Sequence, residues 1–219
     1  MVVTASGQEL RKRWVVGLTG ASGAVYGIRL IEELLLRRFE VHAVVTEAGW
    51  RVLKEELGWE TSRRAEALER AFPGELRAGR LVFHPNGDIG AAIASGSFRV
   101  EGMFIMPCSM GTLSSIAHGA SNNLMTRAAD VMLKEGRKLL IVPRETPLHA
   151  IHLENMLTLA RLGVRIVPAM PAFYHKPQSM DEMINFLVGK VLDNADIDHD
   201  LYRRWGDEQN GQPSPDHHR

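Results

Sequence analysis

The turn Thr19-Gly20-Ala21-Ser22-Gly23-Ala24 follows a short apolar run and opens an amphipathic segment. It brings backbone N–H groups and the Ser22 hydroxyl to a helix start, a place suited to phosphate, although any tight strand-to-helix turn uses glycine. The glycines fall at 20, 23 and 27, which does not match the G-x-G-x-x-G of common dinucleotide sites. The spacing is only loosely that of short-chain dehydrogenases, and no Tyr-x-x-x-Lys pair supplies their acid and base. After the next apolar run stands Thr46, where an NAD enzyme would place an acidic ribose hook, with Glu47 beside it.

A second loop, Pro107-Cys108-Ser109-Met110-Gly111-Thr112-Leu113-Ser114, clusters hydroxyls and backbone donors at another helix start. Its Ser and Thr suit either a ligand or N-capping. Cys108 lacks an evident His/Asp arrangement and reads as a small buried residue rather than a nucleophile. Pro143-Arg144-Glu145-Thr146-Pro147 sets a guanidinium that can fork onto phosphate beside a carboxylate that can relay a proton. Arg127 and Lys134 lie about two helical turns apart on one stripe, which is either a solvated face or a pair of cations aimed at one pocket. The prolyl loop 168–177 presents Phe173, Tyr174, His175 and Lys176; His175 reads as a loop hydrogen-bonder rather than a metal ligand. The acid-rich Asp193-Asn194-Ala195-Asp196-Ile197-Asp198 reads as a solvated turn, so no metal site is expected.

These loops need a frame. β-rich runs at 14–18, 41–46, 81–83, 103–107, 139–143 and 164–168 alternate with helical patterns at 24–38, 47–57, 113–118, 124–135, 148–162 and 180–192. The later runs are apolar throughout, as in strands covered on both faces. The pattern predicts a three-layer doubly wound parallel α/β sheet, in which residues just past the strands have first claim on ligands. One domain over 14–194 suffices, with an arm at 195–205 and flexible termini at 1–13 and 206–219. The chain has 219 residues, 26 Lys+Arg against 26 Asp+Glu, 45% hydrophobic residues and one cysteine. That balance argues against general capture of nucleic acid or an anionic membrane, and the lone cysteine forms neither an internal disulfide nor a cysteine zinc cage. No run approaches the roughly 20 apolar residues of a spanning helix. A soluble cytoplasmic protein is the expectation. Two anion loops, several hydroxyls, cations and aromatics, without a nucleophile triad, describe a site for a large aromatic phosphate ligand plus a second anion; FMN fits better than a dinucleotide.

The stretches GLTGASGAVYGIRL at 17–30, ASGSF at 94–98, PCSMGTLSSIAHG at 107–119, NNLMTRAADVMLKEGRKLLIVPRETPLHAIHLENML at 122–157 and PAMPAFYHKPQSMDEM at 168–183 closely resemble the flavin prenyltransferases of the UbiX type, once described as aromatic-acid or hydroxybenzoate decarboxylases. The resemblance spans roughly residues 14–205. It implies a flavodoxin-like domain that joins the dimethylallyl group of dimethylallyl phosphate to N5 and C6 of reduced FMN without metal. The product, prenylated FMN, would serve a UbiD-type decarboxylase. FMN contacts are then implied at Gly20, Ala21, Ser22, Thr46, Ser109, Met110, Gly111, Thr112 and Arg144. Substrate contacts are implied at Tyr174, Lys190, Lys134 and Arg127, with Glu145 as proton handler among catalytic Glu145, Lys134, Ser22 and Tyr174. Lys190 stands where the family often has Arg, and Trp205 matches a closing RWG that caps the prenyl pocket. A homododecamer with sites at subunit junctions is also implied. An FMN-dependent cysteine decarboxylase of the same superfamily, or a non-enzymatic FMN carrier, are the competing readings.

Overall fold

The computed structural model describes residues 11–75, 77–78 and 80–204. Strands and helices alternate: β1 (Arg13–Leu18), α1 (Ala24–Leu36), β2 (Glu40–Val45), α2 (Glu47–Leu57), α3 (Arg64–Ala71), β3 (Leu81–Pro85), β4 (Gly102–Cys108), α4 (Met110–Ala117), α5 (Leu124–Lys134), β5 (Lys138–Pro143), α6 (Ala150–Arg161), β6 (Arg165–Ile166) and α7 (Met180–Asn194). A single turn of 3-10 helix lies at Ala92–Ala94. The six strands form one sheet in the order β3-β2-β1-β4-β5-β6, every pair parallel.

Strand side chains alternate between faces. Met103, Ile105, Leu139 and Ile141 join Leu113, Met125, Ala128 and Met132 of α4 and α5 in one buried cluster. Their neighbours Phe104, Leu140 and Val142 point the other way and are equally buried. On that side α1 packs on β1, β2 and β4. The approach is close at Gly27, where a Cβ would fall 2.3 Å from the Met106 carbonyl oxygen. This is the doubly wound architecture the alternation implies. Because the strand order reverses between β1 and β4, a crevice opens at their carboxyl ends.

Some elements differ from the sequence expectation. The Arg/Glu-rich stretch after α2 contains α3, held by the burial of only Ala67 and Leu68. α4 begins at Met110, three residues before the apolar pattern, because Ser109 caps it. β6 is two residues long and lies at the sheet edge; Pro168 and Pro171, which cannot donate to a ladder, follow closely. The chain divides into two compact units, one ending at Met170 and the other starting at Pro171. In the second, α7 carries Ser179 as N-cap, accepting from the Glu182 N–H at 3.2 Å. Among the described residues no helix is long and apolar enough to cross a membrane.

Candidate active site

The first unit's crevice is built around a hydroxyl. Buried Thr19 donates through Oγ1 to the Pro107 carbonyl at 2.8 Å and accepts from the Ser109 N–H at 2.7 Å. Its own N–H donates to the same carbonyl at 3.3 Å. The Gly20–Ser22 and Ser109–Thr112 loops are thereby tied to each other across the point where the strand order reverses. The β4–β5 register shifts between Ile105 and Cys108, so the Ser109 loop leaves the sheet at an irregularity. Gly23 then turns with φ +100°, a left-handed backbone that glycine adopts without strain.

Two of the loop hydroxyls cap helix starts. Thr46 caps α2, accepting from the Gly49 N–H at 3.0 Å. Ser109 caps α4, accepting from the Thr112 N–H at 3.4 Å and donating to Thr112 Oγ1 at 3.1 Å. At α1 no local side chain caps. Instead Glu56, at the far end of α2, accepts from the N–H groups of Gly23 at 3.0 Å and Ala24 at 2.9 Å. The helix start that looked ready for a phosphate thus already holds an internal anion, in the place the helix dipole favours. Nothing in the sequence points to Glu56, since a carboxylate some thirty residues from its partners leaves no local pattern. Burial first, and then Glu56, push the Tyr26 hydroxyl above its ordinary pKa.

Arg144 follows β5 and its backbone N–H donates to the Cys108 carbonyl at 3.3 Å. Its Nε is buried without a hydrogen-bond partner among the described residues. A buried guanidinium nitrogen left dry is costly, and such an atom marks a place where a ligand oxygen or nitrogen belongs. Gly111, in the first turn of α4, faces open ground: a Cβ there would meet nothing within 4 Å. A buried guanidinium nitrogen one residue past β5, and an uncrowded glycine in the first turn after β4, suit the polar groups of a flavin mononucleotide. Cys108 is fully buried and burial pushes its thiol pKa up, which removes it as a nucleophile.

Glu145 is exposed and accepts from the Thr146 N–H at 3.0 Å. Arg127 and Lys134 do run along one segment. Arg127 Nε donates to the Ala94 carbonyl at 3.2 Å and its guanidinium pairs with Asp130 at 2.8 Å. A Cβ on Gly96 would fall 2.7 Å from Lys134 Nζ, and that ammonium pairs with Glu135.

In the second unit Tyr174 is half-exposed, edge-on to Phe186 with centroids 5.8 Å apart. Lys190 lies 3.9 Å from Asp193 and 6.0 Å from the Tyr202 ring centroid. Asp193 also accepts from Tyr202 Oη, from Arg204 at 2.7 Å and from His199 at 3.1 Å. Burial opposes its charge, but the hydrogen bonds from Arg204 and Tyr202 outweigh it and hold the carboxyl below the ordinary range. Trp205 lies outside the described residues.

The Flavoprotein family matches residues 2–198. Flavin prenyltransferase UbiX of Alkalihalophilus pseudofirmus is 56% identical over 200 residues, covering 91% of this chain and 99% of that protein. The chain belongs to the UbiX flavin prenyltransferase family. Among solved structures it is similar to AnUbiX (PadA1) in complex with FMN and dimethylallyl pyrophosphate, with TM-score 0.80, 40% identity and coverage of 93% of this chain and 100% of that one. It is also similar to the dodecameric FMN-dependent UbiX-like decarboxylase from Escherichia coli O157:H7, with TM-score 0.79, 42% identity and coverage of 88% and 98%.

Proposed function

We propose that this chain transfers the dimethylallyl group of dimethylallyl phosphate to N5 and C6 of reduced FMN, yielding prenylated FMN for a UbiD-type decarboxylase. The observation that carries the reading is the buried Arg144 Nε, without a hydrogen-bond partner among the described residues, one residue past the carboxyl end of β5, in a chain of this family. Reduced FMN, when bound, supplies the nucleophilic ring atoms. Gly20, Ala21, Ser22, Thr46, Ser109, Met110, Gly111, Thr112 and Arg144 hold it, by backbone donors, hydroxyls and the guanidinium. Lys190, Lys134 and Arg127 neutralise the charge that grows on the leaving phosphate, in the role a magnesium ion plays elsewhere. The π-face of Tyr174 stabilises the allylic cation. Ser22 would orient the phosphate, which leaves with the N5 proton, and Glu145 would carry the proton lost from C6 to the prenyl alkene carbon that ring closure saturates.

The chain works as a homododecamer in the cytoplasm on this reading. Exposed Ile151, Leu153, Leu157 and Leu162 on and just after α6 form apolar surface that an isolated chain would leave wet. Anaerobic incubation of the purified protein with reduced FMN and dimethylallyl phosphate tests the activity, read by the mass of the flavin. Gain of one dimethylallyl unit is expected, and an unchanged flavin overturns the reading. Light scattering returning the mass of a single chain overturns the oligomer.

A further inference from the structure

Both ring nitrogens of His175 are buried, and neither has a hydrogen-bond partner among the described residues. The ring lies parallel to Phe186, with centroids 4.8 Å apart and planes at 11°. Tyr174 stands edge-on to it at 5.6 Å. The imidazole is therefore clamped and cannot turn to find a partner without giving up its stack. It always carries at least one N–H. Leaving that group dry costs free energy that a phenyl ring in the same place would not. Phe186 and Lys190 are four residues apart on α7 and rise on one face. Tyr202 spans them, with its centroid 4.9 Å from the Phe186 ring and 6.0 Å from the Lys190 ammonium. The dry imidazole, Tyr174 and Lys190 thus belong to one aromatic cluster.

We propose that His175 is a binding residue for the phosphate of the allylic substrate, donating a ring N–H to a phosphate oxygen while Phe186 holds the ring in aim. The inference rests on the assignment of Tyr174 and Lys190 to that substrate. The two groups divide the work: Lys190 brings charge on a flexible stem, and the stacked imidazole brings a directed donor. A ligand that satisfies His175 explains why a polar ring is kept where an apolar one would pack as well.

The test compares His175→Phe, which keeps the stack and loses both nitrogens, with His175→Gln, which keeps an N–H donor and loses the stack. Each full-length variant is loaded with oxidised FMN, so that substrate binds without turning over. It is then titrated calorimetrically with dimethylallyl phosphate and, separately, with inorganic phosphate. A ligand role ranks Phe above Gln in melting temperature and below Gln in affinity. The Phe variant should bind dimethylallyl phosphate at least about tenfold more weakly, because a charge-assisted hydrogen bond is lost, with FMN retained as in wild type. Weaker binding of both titrants locates the contact at the phosphate; loss of dimethylallyl phosphate binding alone, with inorganic phosphate unaffected, overturns that location. Wild-type affinity for dimethylallyl phosphate in the Phe variant overturns the proposal. Should the Phe variant not fold, His175→Leu against His175→Gln makes the same comparison. Failure of wild type to prenylate reduced FMN strikes the functional reading instead, so the two failures are told apart.

Discussion

Thr19 Oγ1 accepts the Ser109 N–H at 2.7 Å, joining the residue after β1 to the residue after β4. The same hydroxyl donates to Pro107, so one side chain ties together the loops that follow β1 and β4. Thr19→Val preserves shape and removes the hydroxyl. The Pro107 carbonyl keeps the Thr19 N–H, but the Ser109 N–H loses its acceptor, at a cost of about 1–3 kcal/mol for a buried unsatisfied group. Denaturant unfolding should show a lower midpoint with unchanged slope. The stabilisation that added FMN gives wild type should shrink in the variant, because linkage scales with affinity for the folded state. Equal FMN stabilisation in both proteins would mean that the loops hold their spacing without Thr19.

Glu145→Gln and Lys190→Ala should separate chemistry from binding. The amide at 145 can still accept from the Thr146 N–H, so the loop keeps its shape while proton transfer is lost. Turnover should fall by roughly 10²–10⁴ with FMN bound as before. Lys190 has a side chain nearly half exposed, so its removal should hardly change stability. Its loss should raise the dimethylallyl phosphate requirement by the equivalent of about 1.5–3 kcal/mol, the scale of a hydrogen bond to a charged group. Steady-state kinetics decide both: full turnover in Glu145→Gln removes the proton role, and an unchanged requirement in Lys190→Ala returns that residue to the helix surface.

The parallel sheet was legible because its strands are apolar throughout and each is followed by a helical period, a local signal. So were the loops at Gly20 and Ser109, since they sit at strand ends. Thr19 was visible only as part of a Gly-rich turn, and its bridging role depends on a partner that becomes a neighbour only when β1 and β4 pair. Glu56 was hidden for the same reason: its hydrogen bonds reach back to Gly23 and Ala24 across two elements. α3 is not legible in the sequence because an eight-residue helix with two buried side chains leaves little apolar period. The sequence suggests that His175 is a loop hydrogen-bonder, and the lack of a hydrogen-bond partner for its ring among the described residues is a tertiary fact that no spacing announces.

Activity should survive chelation. The acid-rich stretch at 193–198 is the part of the sequence most like a box for magnesium pyrophosphate, and its leading carboxylate is already engaged. Both oxygens of Asp193 are used, one by Arg204 and His199 and the other by Tyr202. A magnesium ion there would have to displace an arginine ion pair, while the cations assigned to the phosphate already supply the charge. Turnover of dimethylallyl phosphate in EDTA should equal that in buffer alone. Loss of activity in EDTA with recovery on added magnesium would overturn this assignment.

The last prediction concerns pH and comes from β2 and β3. His42 Nδ1 and His84 Nε2 share one hydrogen bond at 2.9 Å, and His42 Nε2 bonds Glu40 at 2.9 Å, with Arg13 on the same carboxylate. Burial lowers the His42 pKa, against the pull of Glu40 and with a push from Arg13. Burial also lowers that of His84, aided by His42 and opposed by Asp88. Above about pH 6.5 both rings are neutral folded or unfolded and contribute no slope. As pH falls below that, the unfolded chain takes up protons that the native rings refuse, so it binds more protons than the native state and stability drops. The loss is complete once pH passes below the depressed native values. Unfolding free energy should therefore be alike in slope above about pH 6.5 and fall below it more steeply in wild type than in His84→Gln, since the carboxylates common to both proteins cancel in the comparison. Parallel profiles for the two proteins would show that the histidine pair titrates alike in both states.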